Sequence, residues 1–158
     1  MNYIQNIINI CETEKNNIIL YYKIKYILGK INNNLFLEEF KNYNFINILN
    51  INNNNYIYTK NIIYTSEVCD IMLIKWNKNA ITKIHDHPEN GCIVKILEGN
   101  LLEKCYNKNL DITKINNMLI NDIGYKISNN ILHSIECIND AYSLHVYIPG
   151  KYIPNKFN

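Results

Sequence analysis

Hydrophobic positions recur along this chain with two different periods. Over the first fifty residues, apolar side chains return every three or four positions, interrupted by Gly29 and by runs of asparagine. This spacing predicts amphipathic helices, because residues three and four apart share one helix face. The segments expected to be helical are YIQNIINIC, IILYYKIKYIL and FLEEFKNYNFINIL.

From Tyr56 onward the pattern changes to short runs rich in Ile, Val, Tyr and Thr. Many short strands separated by turn residues are typical of a β-sandwich or barrel. Gly99-Asn100 separates CIVKILE from LLEKCY and predicts a hairpin turn. We therefore expect one mainly β domain over residues 1–158, with a helical N-terminal layer at 1–50 and a β-barrel at 56–158. The expected strands are YIYT, NIIYT, VCDIMLIKW, AITKIHDH, CIVKILEG, LLEKCYN, DITKI, GYKIS, HSIECI and YSLHVYI.

Composition limits the partners and the cellular compartment that we expect for this protein. With 158 residues and 47% hydrophobic content the chain can bury a core, while a formal net charge of +2 gives no reason to expect nucleic acid or an anionic membrane as partner. No run is apolar enough to span a bilayer, and the start does not resemble a signal peptide. The five cysteines form no CxxC pair, which suits a reducing compartment, and Cys11, Cys69, Cys105 and Cys137 are expected to be small buried residues. We expect a cytoplasmic monomer.

The strongest chemical signal is HDHPENGC at residues 85–92. In a strand, residues two apart point to the same face, so His85 and His87 can converge inside a barrel. His133, from a later strand, could add a third nitrogen, and such a site suits iron, zinc, copper or nickel. The spacing alone is equally typical of two surface or core histidines.

A second signal is SLHVYIPG at residues 143–150. Ser143, His145 and Tyr147 alternate along one strand and so face one side. Three polar groups on an inner face are costly unless each has a partner. The alternative is a hydrogen-bonded strand that only positions loops.

Together, these motifs resemble the cysteine dioxygenase family of thiol dioxygenases, which have the cupin fold. The resemblance is carried by IHDHPENGCIVKILEGNLLE (84–103), LHSIE (132–136), YSLHVYIPG (142–150) and YTKN (58–61), in the family's order. It implies a cupin-type small β-barrel, or jelly roll, behind the helical segment. It also implies a cysteine dioxygenase that uses O2 to convert free L-cysteine to cysteine sulfinic acid.

The resemblance assigns places to ten residues. A mononuclear non-haem Fe(II) would be bound by His85, His87 and His133. Cys92 would form a thioether crosslink with Tyr147, whose phenol Ser143 and His145 would hold. Tyr58 and Lys60 would lie beside the substrate, with Trp76 in the flanking core. Three neutral imidazoles leave the full charge on the metal, which favours a thiolate ligand.

The chain departs from the family at Lys60, where cysteine dioxygenases have an arginine that clamps the substrate carboxylate. Lysine offers a point charge instead of a bidentate fork. Because all 16 basic residues of this chain are lysine, we interpret the change as drift that keeps the charge. A switch to another small thiol, such as 3-mercaptopropionate or cysteamine, is the alternative.

Three further functions compete with this interpretation. Enzymes acting on N-terminal cysteines of proteins share the three-histidine cupin, but the pairing of Cys92 with SLHVY favours a free amino acid. A non-catalytic cupin that binds a metal or ligand has no need of the complete constellation. A zinc hydrolase would need a general base, which the sequence does not offer, and would give Cys92 and Tyr147 no role.

Overall fold

The computed structural model describes residues 3–41, 45–49, 56–126 and 131–157. Within these residues three helices come first and nine strands follow, so the predicted mainly β fold with a helical N-terminal segment is confirmed. No helix in the described residues is long and apolar enough to cross a membrane. The elements are α1 (Tyr3–Thr13), α2 (Asn17–Lys30), α3 (Asn33–Phe40), β1 (Phe45–Leu49), β2 (Tyr56–Thr65), β3 (Asp70–Trp76), β4 (Ile84–His85), β5 (Cys92–Tyr106), β6 (Ile112–Met118), β7 (Ile123–Lys126), β8 (Leu132–Tyr147) and β9 (Lys156–Phe157).

Asparagine side chains start two of the helices. The Asn16 side chain accepts hydrogen bonds from two backbone N–H groups of α2, and that of Asn32 accepts one from α3. These caps satisfy donors that a helix start leaves without an intrahelical partner. The helical region nevertheless ends at Phe40, earlier than predicted, because Phe45–Leu49 pairs with β2 as strand β1. Short apolar runs are compatible with either a helix or a strand. Here, pairing with β2 at the edge of the sheet makes the run a strand.

The nine strands form one sheet in which β8 is the central element. The path runs β1-β2-β3-β8-β4-β9, and β5 pairs with β8 along most of its length and also with β6 and β7. Thus β8 has β5 on one side and β3 followed by β4 on the other.

The hairpin predicted at Gly99-Asn100 is wrong, because β5 continues through it from Cys92 to Tyr106. Gly99 has φ +71°, and the pairing of β5 with β8 shifts register between Ile96 and Leu101. A Cβ at Gly99 would lie 2.8 Å from the Cα of Ala141 and would also overlap the Asp140 carbonyl oxygen. The glycine therefore permits a bulge and a close approach of two backbones, not a reversal of the chain.

The two faces of the long strands have different neighbours. Leu144 and Val146 of β8 are fully buried in the core cluster that includes the three helices. Ser143, His145 and Tyr147 alternate with them and so face the opposite side, inside the curled sheet. The helices thus cover the outer face and leave the inner face for polar side chains.

Candidate metal centre

Three imidazoles meet on the inner face. His85 of β4 lies directly opposite His133 of β8, and their Nε2 atoms are 3.1 Å apart. The ring of His87 is centred 4.3 Å from that of His133 and 5.4 Å from that of His85. One ligand nitrogen from each ring lies within 4.8 Å of the others. The structure therefore brings together the three residues that the sequence nominated as ligands.

The route by which the first two histidines converge differs from the prediction. Strand β4 comprises only Ile84 and His85, so His87 lies beyond the strand. The alternation argument consequently does not place His87. The backbone N–H of Asp86 instead donates to the Asn155 carbonyl at 3.4 Å, which ties this segment to the chain's last described residues.

The hydrogen bonds of two rings define which nitrogen carries a proton. His85 Nδ1 lies 2.9 Å from the Lys83 carbonyl oxygen, which can only accept, so Nδ1 donates. His133 Nδ1 lies 2.6 Å from a carboxylate oxygen of Glu103, and it donates in the same way. Burial lowers the pKa of His85 to about 4, so its ring is neutral near pH 7.

With Nδ1 protonated in both rings, the two Nε2 lone pairs face each other. Two lone pairs at 3.1 Å repel unless a cation lies against both of them. Neutral imidazole is a ligand for iron, zinc, copper and nickel, so the donor set fits a divalent first-row metal. Iron(II) is one of the metals that this donor set can hold.

A second polar row lies next to the histidines on the inner face. The Trp76 indole N–H donates to Ser143 Oγ at 2.7 Å, and Ser143 Oγ lies 2.7 Å from His145 Nε2. His145 Nδ1 in turn lies 3.3 Å from the hydroxyl of Tyr147. Since the indole can only donate, the chain is satisfied throughout when Ser143 donates to Nε2 and Nδ1–H donates to the phenol oxygen.

The row is deeply buried, and burial controls its charge. Burial, with a smaller contribution from the positive charge of Lys60, lowers the pKa of His145 to about 3. Burial also raises the pKa of Tyr147 well above its ordinary value. Both groups are therefore neutral near pH 7, and Tyr147 retains its phenolic proton.

Cys92 lies directly opposite Tyr147 in the pairing of β5 with β8. Its Sγ is 3.8 Å from His145 Nδ1 and forms a hydrogen bond with Tyr147. Burial raises the pKa of Cys92, and the Tyr147 hydrogen bond and the charge of Lys60 oppose this rise only in part. The sulfur is thus a protonated thiol next to the phenol, on the same side of the barrel wall.

Tyr58 and Lys60 occupy the same face of the neighbouring strand β2. The Tyr58 ring packs at 4.9 Å from Trp76, and Lys60 Nζ lies 5.9 Å from the centroid of the Tyr58 ring. Burial lowers the pKa of Lys60, and the next contribution is the positive charge of Lys156. The Lys60 charge also acts on His85, Cys92 and His145, so this ammonium group lies close to the whole constellation.

Sequence reasoning did not identify Glu103, which is only 3% exposed and bonded to His133. Its other carboxylate oxygen accepts from the Asn116 amide at 2.8 Å. A signal was present: in LLEKC, the acidic residue occupies an inward position between Leu101 and Cys105, both buried. A carboxylate there needs a buried donor.

All five cysteines fall within the described residues, and all are buried without any disulfide among them. This confirms the expectation that most of them serve as small buried residues. Cys11 and Cys69 lie in the core cluster that includes the helices, Cys137 lies in the cluster that includes Trp76, and Cys105 lies opposite His133 in the pairing of β5 with β8. Cys92 lies beside the polar row.

Comparison with known proteins identifies a family. The model of the family described as cysteine dioxygenase type I matches residues 37–158. Cysteine dioxygenase type 1 of Bos taurus is 30% identical over 104 residues, and that of Rattus norvegicus is 31% identical over 104 residues. Each alignment covers 60% of this chain and 52% of the relative, so the chain spans about half the length of the curated relatives it matches.

Solved structures confirm the fold. An RmlC-like cupin from Shewanella frigidimarina superposes with a TM-score of 0.55 at 12% identity, covering 70% of this chain and 87% of that protein. At such low sequence identity the superposition is evidence for the fold alone. It confirms the predicted cupin-type barrel.

Proposed function

The chain belongs to the cysteine dioxygenase type I family, and on that premise we propose that it is an iron-dependent thiol dioxygenase whose substrate is free L-cysteine. The observation that carries the proposal is a juxtaposition. Three imidazoles converge beside a hydrogen-bonded row that ends at Tyr147, and Cys92 lies directly across from that tyrosine. A cupin that only stores or senses a metal would not need the hydrogen-bonded row or the cysteine opposite Tyr147.

Iron(II), once bound by His85, His87 and His133, would supply sites for a substrate thiolate and O2 and would let electrons pass from the sulfur to the oxygen. The remaining contributions come from the protein's own side chains. Three neutral ligands leave the positive charge uncompensated, which favours a substrate whose sulfur has lost its proton. Binding the thiolate and O2 side by side removes the need for the two reactants to meet by diffusion in the correct orientation. Both oxygen atoms would end on sulfur as a sulfinate.

Tyr147 would serve as a positioned proton donor. His145 is neutral, and its Nδ1–H is directed at the phenol oxygen, so the phenol keeps its own hydrogen for donation, to the Cys92 sulfur in this structure and to a bound substrate in the proposed reaction. Because burial raises the pKa of Tyr147, the proton is present at neutral pH. A positioned acid of this kind contributes typically about 10²- to 10⁴-fold in rate.

We also propose that Cys92 and Tyr147 become joined by a thioether. The two side chains are already in hydrogen-bond contact across adjacent strands. Forming an S–C bond to a tyrosine ring carbon removes one hydrogen from sulfur and one from carbon. The two electrons and two protons released would pass to O2, so the mature protein should be lighter by two hydrogen atoms.

Lys60 is the group that favours cysteine over cysteamine. Its ammonium lies at the inner face beside Tyr58, where a carboxylate of the substrate can approach it. Cysteamine has no carboxylate, whereas cysteine and 3-mercaptopropionate do. A lysine binds carboxylate with one charge and no fork, so we expect weaker orientation than an arginine would give.

The proposal is tested by purifying the protein without added metal, identifying the metal, and measuring O2 uptake with each thiol. We expect iron, cysteine-dependent O2 uptake and cysteine sulfinic acid as product. A His133→Ala variant, checked for native folding by circular dichroism, should lose iron and uptake together. Protein that retains iron yet consumes no O2 with cysteine, 3-mercaptopropionate or cysteamine would instead be a non-catalytic metal-binding cupin.

The crosslink is tested on the same preparations. Active protein should run as a doublet on a denaturing gel, and a Cys92→Ser variant should run as a single band. Peptide mapping should place the link between Cys92 and Tyr147. Peptides in which both side chains remain unmodified after many turnovers would exclude the thioether.

A further inference from the structure

The last described strand brings a second lysine to the inner face. In the pairing of β9 with β4, Lys156 lies directly opposite His85. Residues directly opposite in adjacent strands project their side chains to the same side of a sheet. Because the His85 ring contacts His133 on the inner side, Lys156 emerges on the side of the metal centre.

A buried carboxylate fixes the segment that carries Lys156. Asp86 is 4% exposed and accepts hydrogen bonds from the Tyr152 hydroxyl at 2.8 Å and from the backbone and side-chain amides of Asn155 at 2.8 and 2.7 Å. Asp86 is also the residue between His85 and His87. The position of Lys156 is therefore tied to the same segment that positions two of the candidate ligands.

The two ammonium groups of Lys60 and Lys156 are close enough to repel each other. After burial, the charge of Lys156 is the second cause that lowers the pKa of Lys60. No described carboxylate lies within salt-bridge distance of either group. Two like charges held near each other are stabilised by an anion placed between them.

We propose that Lys156 and Lys60 together bind the carboxylate of the thiol substrate, each providing one point charge where other family members use an arginine. This inference rests on the proposed function, because it names the group that recognises the acid end of the substrate. Lys60 approaches from β2 and Lys156 from β9, so the carboxylate would be bound from two strands. Lys156 is thereby a specificity residue that discriminates thiol acids from thiol amines.

The test compares three thiols that differ by one group: cysteine, 3-mercaptopropionate, which lacks the amine, and cysteamine, which lacks the carboxylate. Binding to iron-loaded protein is measured anaerobically by calorimetry, and KM and kcat are measured in air. For Lys156→Gln, we expect affinity for both thiol acids to fall about three- to fivefold, since Lys156 is exposed and its charge is screened by water. Cysteamine binding should change less than twofold, and kcat should be retained.

Two controls separate charge from structure. Lys25→Gln removes an exposed lysine of α2, in the helical layer that covers the outer face, and it should leave all three affinities unchanged. Lys156→Arg keeps the charge and should restore binding of the thiol acids. The Lys156→Gln effect should also shrink as salt concentration is raised.

The results that would overturn the inference differ from those that would overturn the proposed function. If wild-type protein oxidises cysteine but Lys156→Gln binds all three thiols as wild type does, Lys156 has no part in recognition. Equal losses for cysteine and cysteamine would likewise exclude a role at the carboxylate. If wild-type protein binds no thiol at all, the proposed function fails and the inference fails with it.

Discussion

Glu103→Gln is the most informative single substitution, because it changes one buried charge beside a candidate metal ligand and almost no volume. The carboxylate has two donors to satisfy, the buried His133 Nδ1–H at 2.6 Å and the half-buried Asn116 amide at 2.8 Å. A glutamine has one acceptor oxygen and one NH2 group. When the glutamine oxygen accepts from His133, the Asn116 amide must turn so that its oxygen accepts from the new NH2 group.

The expected loss follows from the hydrogen bond to His133. A bond to a charged group is worth about 1.5–3 kcal/mol and one between neutral groups about 0.5–1.5 kcal/mol, so the exchange costs roughly 1–1.5 kcal/mol. At about 1.4 kcal/mol per decade, this is roughly a tenfold loss of iron affinity. If the amide turns its NH2 toward Nδ1, the ring orientation is lost as well, and the loss approaches about 100-fold, the upper range for groups that orient metal ligands.

Iron affinity should be measured anaerobically by competition with a chromophoric chelator. Glu98→Gln is the matched control, since it makes the same change at an exposed position of the same strand. Urea unfolding of the metal-free proteins, run in parallel, separates a metal effect from a folding effect. If Glu103→Gln binds iron within about twofold of wild type, the assignment of Glu103 as the group that orients His133 is wrong.

Three further predictions concern the scaffold and its charges. Lys95→Met should lower the free energy of unfolding by about 2 kcal/mol in urea titrations, because the buried Lys95 ammonium donates to the Leu28 and Ile31 carbonyls at 2.9 Å each. Lys114→Met should have no such effect. Gly99→Ala should cost about 3 kcal/mol and lower the melting temperature, because φ is +71° and the new Cβ would overlap the neighbouring backbone; an unchanged melting temperature would contradict the bulge. Because burial lowers the pKa of His145 to about 3 from an ordinary 6.5, the unfolded chain binds the extra proton between these values, and the unfolding free energy of metal-free protein should rise with pH across that window. His145→Gln should remove that part of the rise, as measured by urea unfolding at several pH values, and an identical pH slope in both proteins would show that His145 is charged in the fold.

Much of the fold could be predicted because the hydrophobic period changes near the end of the helices. What could not be predicted was the continuity of the strands. The runs HSIECI and YSLHVYI were expected as two strands and form one, β8. The polar residues between them suggest a turn locally. However, β5 shifts register at this point, and bulges depend on the partner strand, which the local pattern does not contain.

The candidate site likewise contains residues that the local sequence predicts and residues that it does not. His85, His87 and the SLHVY row could be nominated because motif spacing is local. The local pattern marks Glu103 as a buried acid but places neither Glu103 nor Lys156 at the site, because each reaches it only through pairing with a distant strand. Glu103 comes beside His133 across β5 and β8, and Lys156 comes opposite His85 across β9 and β4. Local patterns thus predict the ligands better than the groups that orient the ligands or the substrate.

The polar row and the hydrophobic core depend on one register. Along β8, Leu144 and Val146 are fully buried toward the helices while Ser143 and His145 face inward. A slip of one residue would exchange these faces, placing an imidazole and a hydroxyl under the helices and two aliphatic side chains at the metal centre. The free energy that the helical layer gains by covering Leu144 and Val146 therefore also opposes every register in which Tyr147 fails to meet Cys92. Variants that loosen the helical layer, such as Lys95→Met, should for this reason form the thioether more slowly even though they lie outside the site.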